Sequence, residues 1–256
     1  MRISVAGAVL LFMVMSSAHV AGQAVRKRAL ANNPDIYKSL LAFGINTNTN
    51  SGILGGANVR YTKLLQGALF GKTQYQYMAL EIINVKSPKE YTTTSGLGFN
   101  NINNKANYLF SIRPQYGREL FFYNRQNNEG LGLSGIVAAG PTLGLEKPFM
   151  VQWQEGGRTV TVPYNPSLSG APAAGILSGF GKSKIVPGLH AKAAVNLELS
   201  TFRHNVTGLE VGFLVEAFTR RIELMAYSNS QNVPNVGNRS FFTSGYINLY
   251  FGTKKQ

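Results

Sequence analysis

Three groupings in the chain have residue types that could do chemistry. Gly179-Phe180-Gly181-Lys182-Ser183 has the glycines, lysine and hydroxyl of a phosphate-cradling loop. Such a loop needs a further glycine where this chain has Ile176, and it must link a strand to a helix, so nucleotide binding is not expected. His19, His190 and His204 are too far apart to form a metal-ligand set, and Asp35 is the single aspartate, which leaves a Ser-His-Asp triad almost no material. The third grouping is a scatter of carboxylates and cations: Arg60, Glu81, Arg113, Lys192, Glu198, Glu210 and Glu216. Paired glutamates can act as acid and base, but ionic groups in such a setting are more often structural. No catalytic residues, no metal and no cofactor are expected; the chain reads as non-enzymatic.

The elements that position these charges follow from hydropathy. In residues 190–201, Ala191, Ala193, Val195, Leu197 and Leu199 alternate with Lys192, Asn196, Glu198 and Ser200. In residues 208–218, Leu209, Val211, Phe213, Val215 and Ala217 alternate with Gly208, Glu210, Gly212 and Glu216. A period of two is the period of a strand with unlike faces. The same alternation marks residues 39–47, 56–62, 72–86, 105–120, 131–145 and 241–251, with a bulge expected near 78–83 where the phase blurs. That makes about eight strands, an even number, as single-chain bacterial barrels have.

The links between them sort by length. Those at 66–71, 124–130 and 203–206 are tight, as is the first at 48–51, whereas 87–104, 146–189 and 221–240 are long. Short turns at one end and long loops at the other describe a closed antiparallel transmembrane β-barrel with periplasmic turns and extracellular loops. A soluble β-sandwich, the alternative fold, has no reason to sort its loops in this way. Aromatic residues reinforce the reading, with Phe121, Phe122, Tyr123, Phe202, Tyr250 and Phe251 near one end and Tyr108, Phe110, Phe149, Trp153, Phe218, Phe241 and Phe242 near the other.

Residues 1–23 carry an early Arg2, an apolar run from Ile3 to Met15 and then small residues, the layout of a secretory signal peptide. The expected organisation is a signal peptide over 1–23, a short periplasmic arm over 24–37 and a barrel over 38–256, in the bacterial outer membrane with both termini periplasmic. The chain has no cysteine, which excludes disulfides, thiol chemistry and an N-terminal lipidated cysteine. Its formal charge is +14, or 14 − 1 = +13 without Arg2. Export argues against nucleic acid as the counterpart; outer-membrane lipid and lipopolysaccharide phosphates fit better, with other outer-membrane proteins as further partners.

If the apolar face meets lipid, the polar face lines the lumen, and Arg60, Glu81, Arg113, Lys192, Glu198, Glu210 and Glu216 should form a cross-strand charge network there. An eight-stranded bore is just wide enough for its own side chains, so a plugged lumen is expected, not a diffusion pore. Hairpin geometry predicts Glu198 close to Glu210, with Arg60 and Arg113 as candidates to bridge the two.

Residues 85–90, 113–119, 140–149 (Gly140-Pro141-Thr142-Leu143-Gly144-Leu145-Glu146-Lys147-Pro148-Phe149) and 207–212 resemble stretches of small outer-membrane barrel proteins of the Bacteroidota. The resemblance implies a structural or accessory subunit of an outer-membrane machine, such as barrel assembly or a type 9 secretion-like apparatus, and carries no catalytic or binding set. The chain departs from the usual C-terminal barrel signal, since Phe251 is followed by five more residues. A small transport or lipid-binding barrel and a loop-based surface adhesin are the alternatives.

Overall fold

The computed structural model describes residues 36–87, 90, 92–94, 100–102, 104–123, 131–168, 170–202, 205–226 and 238–255. The expected signal peptide, nearly all of the arm and His204 lie outside the described residues. Twelve strands follow in order: β1 (Ser39–Asn48), β2 (Gly52–Leu69), β3 (Lys72–Val85), β4 (Thr92–Thr94), β5 (Asn100–Ile102), β6 (Asn107–Tyr123), β7 (Gly132–Pro148), β8 (Met150–Glu155), β9 (Arg158–Pro163), β10 (Lys184–Phe202), β11 (Asn205–Ile222) and β12 (Arg239–Lys255). Eight of them close an antiparallel barrel in the order β1-β12-β11-β10-β7-β6-β3-β2. The pairs β4–β5 and β8–β9 are separate hairpins within the long loops.

Closure joins the two ends of the chain's barrel segment, Ser39 facing Lys255. From Lys255 the paired neighbours run Ser39, Lys63, Gln76, Arg118, Val137, Ala193 and Phe213, and return to β12 at Gly245. The stagger is therefore 255 − 245 = 10 residues, and such a stagger forces the strands to tilt by roughly 40° to the barrel axis. Most wall strands are longer than the alternation alone suggested. β2 runs on to Leu69 and β10 begins at Lys184, because the pattern weakens near strand ends where neither face is uniformly covered.

The turn between β2 and β3 is only Phe70-Gly71, both with positive φ (52° and 71°), the conformation a two-residue hairpin needs to match strand twist. The bulge expected in β3 is absent: β3 pairs without a register shift from Gln74 to Val85 against β6. Its phase blurred because Tyr75, Tyr77, Ile83 and Val85 are apolar yet face inward. The irregularity lies in β2 instead, between Leu64 and Ala68.

Candidate functional site

The barrel wall has two unlike surfaces. Leu41, Phe43, Ile45, Val137, Leu143, Val195, Val211, Phe213, Ile247 and Leu249 are exposed on the outside, with Phe213 reaching 77%. The residues between them face inward and are buried, among them every charged residue singled out from the sequence: Arg60, Glu81, Arg113, Lys192, Glu198, Glu210 and Glu216. An apolar exterior around a charged interior inverts the usual order of a water-soluble domain. The closed sheet pairs each wall strand on both sides, as lipid requires. This barrel is built to sit in a membrane.

Neither a protein-family model nor a curated protein matches the sequence. Among solved structures the chain is similar to the attachment invasion locus protein Ail of Yersinia pestis, crystallised in complex with the heparin analogue sucrose octasulfate. The two share 9% identity at a TM-score of 0.33, over 84% of this chain and 96% of that one. Such a likeness says nothing about a ligand or partner of this barrel.

The lumen is filled in layers. At the loop end, Ile83, Val85, Leu109, Val186, Phe218, Ile222, Leu224 and Phe242 form an apolar plug. Below it Arg113 grips Glu216 through two hydrogen bonds of 2.7 and 2.8 Å and donates to Glu81 at 3.1 Å. Asn46 and Gln115 also donate to Glu81, at 2.5 and 3.3 Å. Deeper still, Glu210 accepts from Lys192 at 2.7 Å, from the Tyr246 hydroxyl at 2.6 Å and from Arg60 at 3.4 Å. Lys192 donates as well to the Tyr77 hydroxyl at 2.9 Å, and the Arg60 guanidinium lies 3.8 Å over the Tyr250 ring.

Towards the turn end, Glu119 accepts from Ser134 at 2.6 Å and Asn196 at 3.0 Å, with Arg60 4.0 Å away. Glu198 pairs with Lys254 at 2.6 Å. A second apolar layer of Tyr37, Leu40, Ala42, Tyr75, Phe121, Val206 and Tyr250 closes that end. Gly208 makes room for it, since a Cβ there would lie 2.1 Å from the Tyr250 hydroxyl. Charges are thus sandwiched between two apolar plugs, where a guanidinium or ammonium on each carboxylate offsets the cost of leaving water.

The expected juxtaposition of Glu198 and Glu210 is corrected. A register shift in β10 sets Glu198 opposite Gly208, while Glu210 faces Asn196. Glu198 and Glu210 have separate cations; Arg113 spans Glu81 and Glu216, and Arg60 spans Glu119 and Glu210. Five of the thirteen belt aromatics are corrected too: Phe121, Tyr250, Phe218 and Phe242 are inside the bore, and Phe149 packs in a loop core, whereas Phe122, Tyr123, Phe241 and Phe251 are outside, and the Phe202 side chain lies outside the described residues. Alternation counted from the apolar outer residues places them correctly, and proximity to a strand end does not. His190, where the alternation begins, is inside β10, with its Nδ1 2.9 Å from Thr142 Oγ1.

Sequence reasoning missed Glu119, Lys254 and Tyr37. Glu119 has the same parity as Arg113 and Gln115 on β6, which is signal enough to have found it. Lys254 shares parity with Asn248 and Tyr250, but it follows the last apolar residue and looked like tail. Tyr37 precedes the first strand, and nothing in the pattern reports that the chain turns it inward, 4.5 Å from the Tyr75 ring.

At the loop end, β8 and β9 turn over Gly156-Gly157, both at positive φ. Their hairpin has its own small core of Phe149, Val151 and Ala171. The segment 179–183 forms a tight 3-10 turn (Phe180–Lys182), not the strand-to-helix link of a phosphate loop. Lys105, outside the wall, is buried with its ammonium 2.5 Å from Glu90; desolvation holds it below the ordinary lysine range in spite of that partner. Among the described residues no group of His, Cys, Asp or Glu could hold a metal.

Proposed function

We propose that this protein is a sealed bacterial outer-membrane barrel that works through what its wall and loops touch, as a non-enzymatic structural or accessory subunit of an outer-membrane complex. The observation that carries the reading is the filled lumen. The bore is crossed by the Arg113–Glu216, Lys192–Glu210 and Lys254–Glu198 pairs and capped by apolar layers, which supports a lumen closed to solutes. Function then belongs to the outside. The two ends of the barrel segment, Ser39 and Lys255, lie at the tight-turn end, which in this reading faces the periplasm.

The outside is strongly cationic. Most of the described carboxylates are buried, and those left exposed are Glu155 and Glu223. Lys38, Lys63, Lys72 and Lys255 are exposed towards the turn end, and Lys86, Arg158, Lys182, Arg221 and Arg239 towards the loop end. Two cationic rims suit two layers of lipid phosphate and acidic partners. The resemblance of residues 140–149 and 207–212 to small Bacteroidota barrels supports the accessory role. A second reading, a surface adhesin, is favoured by the β8–β9 hairpin, which projects Trp153 from a core of its own.

Planar-bilayer recording tests the closure: purified protein should give no stable conductance steps, and large reproducible steps would overturn a sealed lumen. Mild detergent extraction and native co-purification test the subunit role. A barrel that is strictly monomeric and partner-free in native membranes overturns it, and cell binding lost on protease shaving of the loops would favour the adhesin.

A further inference from the structure

The failed phosphate motif has an unexpected position. Phe180 stacks on Phe110 with ring centroids 6.1 Å apart and planes 21° from parallel. Phe110 has the parity of Ile112, Pro114 and Tyr116, the outer face of β6. It pairs with Leu145, which in turn pairs with Ile185, so the three form one row across the outer wall. The loop therefore does not arch over the barrel mouth at this point; it hooks outward and lies on the lipid-facing wall.

Several contacts fasten it there. Gly179 has φ 84° and passes so close to Met150 that a Cβ would meet its Cγ at 2.7 Å. Lys147, also on the outer face, is covered by the hook, its ammonium 5.7 Å from the Phe180 ring and 4.8 Å from the Tyr108 ring. Successive turns, Ser178 N–H to Gly175 O and Lys182 N–H to Gly179 O, keep the hook compact. Yet its side chains stay uncovered: Ile176 is 54% exposed and Leu177 78%. Lys182 is exposed beside them, and Arg221 and Arg239 are exposed at the loop ends of the neighbouring strands β11 and β12.

We infer that residues 176–182 are an interfacial anchor. Ile176, Leu177 and the outer edge of Phe180 enter the acyl region of the outer leaflet, while Lys182, Arg221 and Arg239 meet the phosphates of an anionic lipid surface. An apolar protrusion continuous with a lipid-facing wall, rimmed by cations at headgroup height, has the chemistry of an interfacial segment. Water is a poor solvent for two adjacent exposed aliphatic side chains beside a lipid-facing wall. The inference rests on the membrane-barrel reading, and the following experiment separates the two.

The chain has no cysteine, so single-cysteine variants give unambiguous labels. Leu177→Cys, Val211→Cys on the outer wall and Arg158→Cys at the β8–β9 turn are labelled with a polarity-sensitive dye. The full-length protein is then reconstituted into vesicles of phosphatidylcholine with phosphatidylglycerol. Acyl-chain bromines should quench the Leu177 label about as strongly as the Val211 label, and aqueous iodide should quench the Arg158 label alone. Removing phosphatidylglycerol, or adding Lys182→Gln, should weaken bromine quenching at 177 and leave it unchanged at 211. Iodide quenching at 177 with bromine quenching at 211 overturns the anchor and leaves the barrel standing. Iodide quenching at both overturns the barrel reading itself. Protection at 177 from both quenchers means that protein covers the hook, and that also overturns a lipid occupant, as does bromine quenching indifferent to lipid charge for the phosphate contacts.

Discussion

Arg113→Met keeps the side-chain stem in the bore and deletes the guanidinium, which makes it the sharpest test of the lumen network. In the native barrel that guanidinium serves two buried carboxylates. Glu216 has two hydrogen bonds from it, at 2.7 and 2.8 Å, and Glu81 has one at 3.1 Å. Without it Glu81 retains Asn46 at 2.5 Å and Gln115 at 3.3 Å, whereas Glu216 loses its charged partner and both of these bonds. Leaving a buried charge uncompensated costs about 3–5 kcal/mol, so the variant should lose stability of that order, chiefly through Glu216. Converting Glu216 to Gln in the same chain should recover most of the loss, because deleting both members of a buried pair is often close to neutral. Converting Glu81 instead should recover less. Urea titration of barrels folded into phospholipid vesicles, read by heat-dependent gel mobility and circular dichroism, measures all four proteins. A variant within about 0.5 kcal/mol of wild type, the range of an ordinary surface substitution, would refute the network as a stabilising device. Equal rescue by Glu81→Gln and Glu216→Gln would refute the assignment of the cost.

Two further substitutions probe the wall. Val211→Arg puts a cation on the exposed outer face midway along β11 and should cost about 2–4 kcal/mol or block insertion; a harmless outcome in lipid would mean that this face does not meet the membrane. Gly117→Ala sets a Cβ 2.1 Å from the Val137 carbonyl oxygen and 2.6 Å from Ala138 Cα, so β6 and β7 must part. Overpacking of this kind costs about 1–3 kcal/mol, visible as a lower urea midpoint, and faster hydrogen exchange should be confined to the β6–β7 ladder. An unchanged midpoint would show that the strands can yield without loss.

The wall itself was legible because its physics is local. A strand with lipid on one side and packed polar groups on the other must alternate, so Leu209, Glu210, Val211 and Gly212 each announce their face whatever the rest of the chain does. The seven lumen charges follow from the same parity, and so does the sorting of loops, since a tight turn such as Phe70-Gly71 leaves no room for anything else. Where inward residues are themselves apolar, as at Tyr75, Tyr77 and Ile83, parity loses its contrast, and the pattern predicts a bulge that β3 does not have.

What pairs with what depended on the closed barrel. A one-residue shift in β10 between Glu198 and Ser200 sends Glu198 to Lys254 and leaves Glu210 to Lys192 and Arg60. Arg60 and Glu210 are 150 positions apart and meet across the bore only because a stagger of ten residues brings β2 and β11 to facing depths. Hydropathy carries no information on that stagger, which is decided by closure of the hydrogen-bond ladder. Nor could it show that residues 176–182 hook outside the wall, since that depends on Phe180 finding Phe110 across a loop. The sequence by itself determined which residues turn towards lipid and which towards the bore, because alternation is a property of one strand. The tertiary structure alone decided the partners, the two apolar plugs and the outward hook, because each joins side chains from strands distant in the chain.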